Sequence, residues 1–275
     1  MAGFLRQPIE IVKKMSKTLA LANILALLLT FIINYLSNTG AFNGNTMATV
    51  SAAFPAYFTP ARYAFPIWIF IYLALAAFAV YQGRALSGNA EAVSLVDRIG
   101  GWFILSCLAN CCWVLAFLYG YTGISVLIML VLAFSLAMII IRTDMEITDP
   151  PALYIIFVWW PFCLYSGWIS LAFFANLDFW LIKTEWSGLG IHAAVRAIIM
   201  VLVAGCLHLY LTWVRNMREA ALVGVWGLIA IAIANLHRAW AISITAFIMA
   251  AILFISSSLH GMRKGASGPF GKRVR

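Results

Sequence analysis

The side chains in this sequence that could do chemistry are few, and most of them are aromatic. Eleven tryptophans occur in 275 residues. An indole offers a broad apolar face, a π surface and one N–H donor, so it packs against flat apolar molecules and can hold one polar atom. Trp180, Trp186, Trp213 and Trp240 fall at the ends of apolar runs, where tryptophan anchors a membrane–water boundary. Trp68, Trp113, Trp159, Trp160 and Trp168 fall deeper or beside prolines. There they either line a cavity for a large flat ligand, with a polar group such as Asn110 to orient it, or pack helix against helix. Composition alone leaves those two readings level.

Other reactive groups are scattered. No nucleophile elbow, phosphate-cradling glycine loop, HExxH or CxxC pair is present, so no motif points to an enzyme. Cys107, Cys111, Cys112, Cys163 and Cys206 all lie in apolar runs, where a thiol packs as a small hydrophobe. Ionisable groups within such runs are functional candidates because burying them is costly, and here they reduce to His192, Arg196 and His208. Arg196 is close enough to the outer end of its run to snorkel. His208 can bond a backbone carbonyl or ligate a metal or tetrapyrrole, but four histidines without paired spacing, His237 and His260 included, do not make a metal site. Every acidic residue lies outside the runs or at a membrane edge, which argues against carboxylate-coupled ion transport.

The elements that must position these groups follow from composition. With 64% hydrophobic and 10% charged residues, the chain has too few polar side chains to cover a water-soluble globule, so lipid is its solvent. A net charge of +9 suggests nucleic acid only where the basic residues form a face; here they collect at segment ends, and nucleic acid is not an expected partner. Apolar runs occur at Thr18–Leu36, Phe65–Tyr81, Gly101–Leu118, Ile124–Ile141, Leu153–Ala175, Gly190–Trp213, Ala220–Ala234 and Ala241–Leu259. Each is apolar nearly all round, which predicts an all-α, polytopic membrane protein of about eight transmembrane helices. The seventh run is the shortest, and seven spans are the alternative.

Lysine and arginine alternate between connections as the positive-inside rule requires. Arg6, Lys13, Lys14, Lys17, Arg84, Arg98, Arg142, Arg215, Arg218 and the basic residues of the last stretch share one side, and only Arg62, Lys183, Arg196 and Arg238 fall toward the other. That places both termini in the cytoplasm. The first run is longer than a signal-peptide core and lacks a cleavage site, so it is expected to be retained. The Ser37–Pro60 connection reads either as an ordered cap over the external mouth or as a flexible loop. The basic Gly261–Arg275 tail suits anionic headgroups, and the expected location is a bacterial inner membrane.

Three blocks in register break the tie over the tryptophans. They are Pro60–Ala–Arg–Tyr–Ala–Phe–Pro66–Ile–Trp68–Ile–Phe–Ile–Tyr72, Leu108–Ala–Asn110–Cys–Cys–Trp113 and Trp168–Ile–Ser–Leu–Ala172–Phe–Phe–Ala–Asn176. In order and spacing they resemble the TspO/MBR family, the tryptophan-rich sensory proteins related to the translocator protein. The resemblance covers the first five spans. It implies a basic N-terminus over 1–17, a five-helix TspO-like module over 18–187, a three-helix extension over 188–260 and a basic tail over 261–275. It further implies a membrane sensor or regulator whose pocket takes porphyrin, haem-like or other bulky apolar ligands, with no obligatory cofactor. At the matched positions Trp68, Tyr72, Trp113 and Trp168 would form aromatic walls and Asn110 a hydrogen-bonding group. Ala172 would permit close approach of helix or ligand, and Asn176 would cap its helix. Membrane lipid, a hydrophobic small molecule and a second copy of the chain are the expected partners. The competing readings are a transporter in which Arg196 meets an anionic substrate, a membrane enzyme that degrades a bound tetrapyrrole, and an assembly subunit of a larger membrane complex.

Overall fold

The computed structural model describes residues 2–186 and 190–263, with side chains described from 14 to 262. The basic side chains Arg6, Lys13, Arg263, Lys264, Lys272, Arg273 and Arg275 therefore lie outside the description. Among the described residues the chain is helical, without a named strand. The elements are α1 Ala2–Leu36, α2 Met47–Ala53, α3 Ile67–Gly83, α4 Ala90–Ile99, α5 Trp102–Leu118, α6 Thr122–Arg142, α7 Ala152–Tyr154, α8 Trp160–Lys183, α9 Ala193–Arg215, α10 Arg218–Ala234 and α11 Trp240–Arg263.

The long helices are apolar on both the face they bury and the face they expose. On α3, Ile71, Leu75, Phe78 and Gln82 face inward at helical spacing, while Ile69, Phe70, Leu73 and Val80 point out, Val80 with 77% of its surface free. In water the outward set would be an aggregation surface; in lipid it is the ordinary exterior. The protein is thus a polytopic helical membrane protein. Six stretches are long and apolar enough to cross alone, and the pair Ala90–Ile99 with Trp102–Leu118, bent by 55°, makes a seventh. The 17-residue α10 is shorter, about 25 Å at 1.5 Å per residue. It nevertheless runs between the two ends of the bundle. Asn216, two residues before it, donates to Glu146 at one end, and Asn235, just after it, donates to Tyr57 O at the other. All eight expected apolar helices are present.

Five of them close a ring: α1 packs on α3, α3 on α8, α8 on α6, α6 on α5 and α5 on α1. The remaining three, α9, α10 and α11, pack on one another, and α9 and α10 also pack on α8, which belongs to both groups. Buried polar pairs tie the ring. Asn23 donates to Gln82 at 3.0 Å between α1 and α3, and Asn176 donates to Ser125 at 3.0 Å between α8 and α6. Asn176 is therefore an interhelical link and not the expected cap, because α8 continues to Lys183. Where no water competes, such pairs fix one helix register against another.

Glycine sets the spacing between the two groups. A Cβ on Gly167 of α8 would lie 2.8 Å from Ala220 O of α10, and one on Gly227 of α10 would lie 2.2 Å from Leu171 Cδ1 of α8. A Cβ on Gly224 would strike the ring of His208 at 2.6 Å. Small residues here let backbones approach within the width of a side chain.

Two connections are structured. The 82–100 stretch, expected as a loop, contains the amphipathic α4, whose N-terminus is capped by Asn89 Oδ1 accepting from Ala92 N at 3.0 Å and which ends at Gly100. Between α1 and α3 the chain forms an ordered strap, the first of the two expected alternatives. Thr46 and Thr49 cap α2 reciprocally, Asn45 donates to Leu118 O, Phe58 N donates to Asp178 Oδ2 at 2.9 Å, and Ala61 N donates to Ala230 O at 3.1 Å. Arg238 closes the strap by donating to Ala56 O and Pro55 O while its guanidinium covers the Tyr57 ring. Asp178 shows that one acid does lie within a helix crossing the bundle, buried, past the point where the apolar run stops.

Candidate functional site

The prolines at 60 and 66 set the start of α3, since proline cannot donate within a helix but tolerates its first turn. One turn apart on α3, Trp68 and Tyr72 stack with ring centroids 5.3 Å apart and planes inclined by 29°. Trp113 reaches the same place from α5 and stacks on Trp68 at 6.2 Å and 25°. Trp168 arrives from α8 and meets Trp68 edge-on at 6.5 Å and 85°. The four expected aromatic residues are brought together around Trp68. Ala172, one turn beyond Trp168, is half-buried and packs against the same core. The rings touch one another, so the space between them is filled by the rings themselves, and a ligand would have to part them.

Asn110 is fully buried behind the rings and links three helices. Its Nδ2 donates to Tyr165 Oη on α8 at 3.1 Å, and its Oδ1 accepts from Asn34 Nδ2 on α1 at 2.7 Å. Tyr165 also meets the Trp68 ring at 6.1 Å. Tyr165 and Asn34 are functional neighbours that sequence reasoning missed. The signal for Asn34 was available, a polar amide within the first apolar run; Tyr165 gives none, being one aromatic among many. Phe31 against Tyr72 and Phe65 against Trp168 complete the surround.

Three donors at this cluster are buried without a hydrogen-bond partner: Tyr72 Oη, Trp113 Nε1 and Trp168 Nε1. Each leaves an unmet desolvation penalty of about 1–3 kcal/mol. Their shared position matters more than any one of them, because buried donors are normally paired. An apolar molecule carrying acceptor atoms would satisfy them. Trp159 and Trp160, grouped with the deeper tryptophans by sequence, lie instead at the π-helical turn Ile155–Trp159 that joins α7 to α8 ahead of Pro161.

The ionisable candidates lie elsewhere. His208 Nδ1 donates to Ala204 O at 2.8 Å, and Nε2 lies 3.3 Å from both Ser170 Oγ and Gly167 O. It is a wedge between α8, α9 and α10, the carbonyl-bonded alternative of the two expected. His192 caps α9. Arg196 sits near the start of α9, donating to Ile191 O with its guanidinium over the Trp186 ring. A hollow of about 560 Å³ lined by Ser94, Asp97, Arg98 and Arg142 lies at the far end of the bundle from the strap and shares no residue with the aromatic cluster.

No match was found among curated proteins or among solved structures. The family model described as TSPO-like protein matches residues 20–259. That range runs through α9, α10 and α11 as well as the five-helix ring. With the Trp68-centred cluster drawn from three helices of that ring, and with most of its length inside the match, the chain belongs to the TSPO-like protein family.

Proposed function

We propose that this membrane protein is a ligand-binding sensor or regulator whose ligand is a flat, largely apolar molecule of the tetrapyrrole class, held between α3, α5 and α8. The observation that supports this reading is the convergence of three unpartnered donors, Tyr72 Oη, Trp113 Nε1 and Trp168 Nε1, on one aromatic cluster. A porphyrin offers a broad π face for Trp68 and Trp113 to stack on, and carboxylates or ring nitrogens for the donors. Its propionates would be held by neutral N–H and O–H groups, so binding would depend on hydrogen-bond geometry more than on charge. Asn110, fixed by Asn34 and Tyr165, keeps the wall behind Trp68 in place. The proposed contact is with the face of the macrocycle.

The test separates packing from hydrogen bonding. Protoporphyrin IX is titrated into the purified protein with tryptophan fluorescence as the readout, beside Trp113→Leu, Trp168→Leu and the milder Trp→Phe pair. Saturable binding is expected in the wild type, with a loss of at least about tenfold, roughly 1.4 kcal/mol, in the Phe pair, which keeps the ring and deletes the donor. Equal quenching in all three proteins would mean partition into detergent and would remove the reading.

A further inference from the structure

The end of the bundle away from the strap holds polar chemistry that the aromatic cluster does not use. Three segments meet there: the connection before α7 with Glu146, the first turn of α8 with Cys163, and the start of α10 with Glu219. One ligand atom from each, the Cys163 Sγ and a carboxylate oxygen from either glutamate, lie within 4.8 Å of one another. Cys163 is fully buried and Glu146 keeps 7% of its surface.

Two carboxylates this close, with a thiol between helices, need either a shared proton or a cation to offset their repulsion. Among the described residues neither glutamate makes an ion pair. Among the described residues Glu146 Oε1 and Glu219 Oε2 are buried with no hydrogen-bond partner, and Asn216 Nδ2 donates to Glu146 Oε2 at 3.4 Å. Buried carboxylate oxygens are ordinarily paired or bound to metal, so the unpartnered pair points to a cation.

We propose that Glu146, Cys163 and Glu219 form a binding site for a divalent transition-metal ion, Zn²⁺ by the chemistry of the donor set. One soft thiolate with two carboxylates suits Zn²⁺ over the hard cations, and three protein ligands leave a fourth position for water. The surroundings fit that role. His260 Nε2 lies 2.8 Å from Asn216 Oδ1, so the amide that touches Glu146 is itself held, as the outer layer of a metal site holds its ligands. Arg215 donates to Ile140 O and Met145 O and pins the connection that carries Glu146. Three anionic ligands around a doubly charged ion leave one negative charge, which the nearby Arg218 guanidinium offsets. The ion would join the ring, through Glu146 and Cys163, to α10. Binding displaces the thiol proton and therefore strengthens as pH rises.

The experiment uses the full chain in detergent, stripped with chelator and dialysed, then titrated with Zn²⁺ calorimetrically and with Co²⁺ spectroscopically. Expected are one ion per chain by elemental analysis and a thiolate-to-cobalt charge-transfer band. That band should vanish in Cys163→Ser and persist in Cys206→Ser. Glu146→Gln and Glu219→Gln, each close to isosteric, should weaken Zn²⁺ at least about tenfold. A wild type that takes up no stoichiometric ion, or shows no charge-transfer band, overturns the proposal without reference to any variant. So does unchanged affinity in both glutamine variants, which would assign the ion to another site and leave the two carboxyls sharing a proton.

Discussion

Glu146 is the residue whose protonation the fold alters most clearly outside the spans. Burial, followed by the charge of Glu219, pushes its carboxyl up to about 8, with Arg218 acting in the opposite direction. A raised carboxyl binds its proton more tightly when folded than when unfolded, so the folded state is favoured at low pH and loses ground as pH climbs from the ordinary carboxylate range through about 8. In chelator, apparent thermal stability should therefore fall between about pH 5 and about pH 9, and Glu146→Gln should flatten the curve. Parallel slopes in the two proteins would assign the effect to another group. At this scale the sequence was partly legible. Trp68, Tyr72, Trp113 and Trp168 were expected together from the resemblance to the TspO/MBR family, and their rings do meet, Trp68 and Tyr72 as i, i+4 neighbours on α3. Tyr165, Asn34 and the Glu146 cluster were not, since their partners come from helices far apart in the chain.

Among the elements, α8 and α10 approach each other backbone to backbone at Gly167, and one atom decides it. Gly167→Ala would put a methyl 2.8 Å from the Ala220 carbonyl oxygen, which is backbone and cannot rotate away. Overpacking of this kind is expected to destabilise by about 1–3 kcal/mol, seen as a lower unfolding temperature in detergent. Gly101→Ala is the control, having nothing within 4 Å. Equal stability of the two variants would show that the helices can separate freely. The apolar runs predicted the long helices well because lipid demands all-round apolarity. They were silent on α4 and on the α8 extension to Lys183, where polar residues are satisfied by the protein instead. On α10 the close contacts use Gly224 and Gly227 against two different neighbours, His208 and Leu171.

For the whole molecule, the distribution of basic residues predicts an orientation. Arg84, Arg98, Arg142, Arg215 and Arg218 flank helices at one end of the bundle, and Arg62, Lys183, Arg196 and Arg238 lie at the other. With the richer end in the cytoplasm, an impermeant maleimide applied to intact cells should label Thr184→Cys and leave Ser87→Cys untouched until the membrane is opened. The reverse pattern would invert the molecule. The shared helix α8 has a mechanical meaning in either orientation. Trp168 faces the aromatic cluster, while Gly167, one residue earlier, lies against α10 with no slack. Whatever shifts that indole shifts a party wall between two rooms, and the far room must rearrange or refuse the guest.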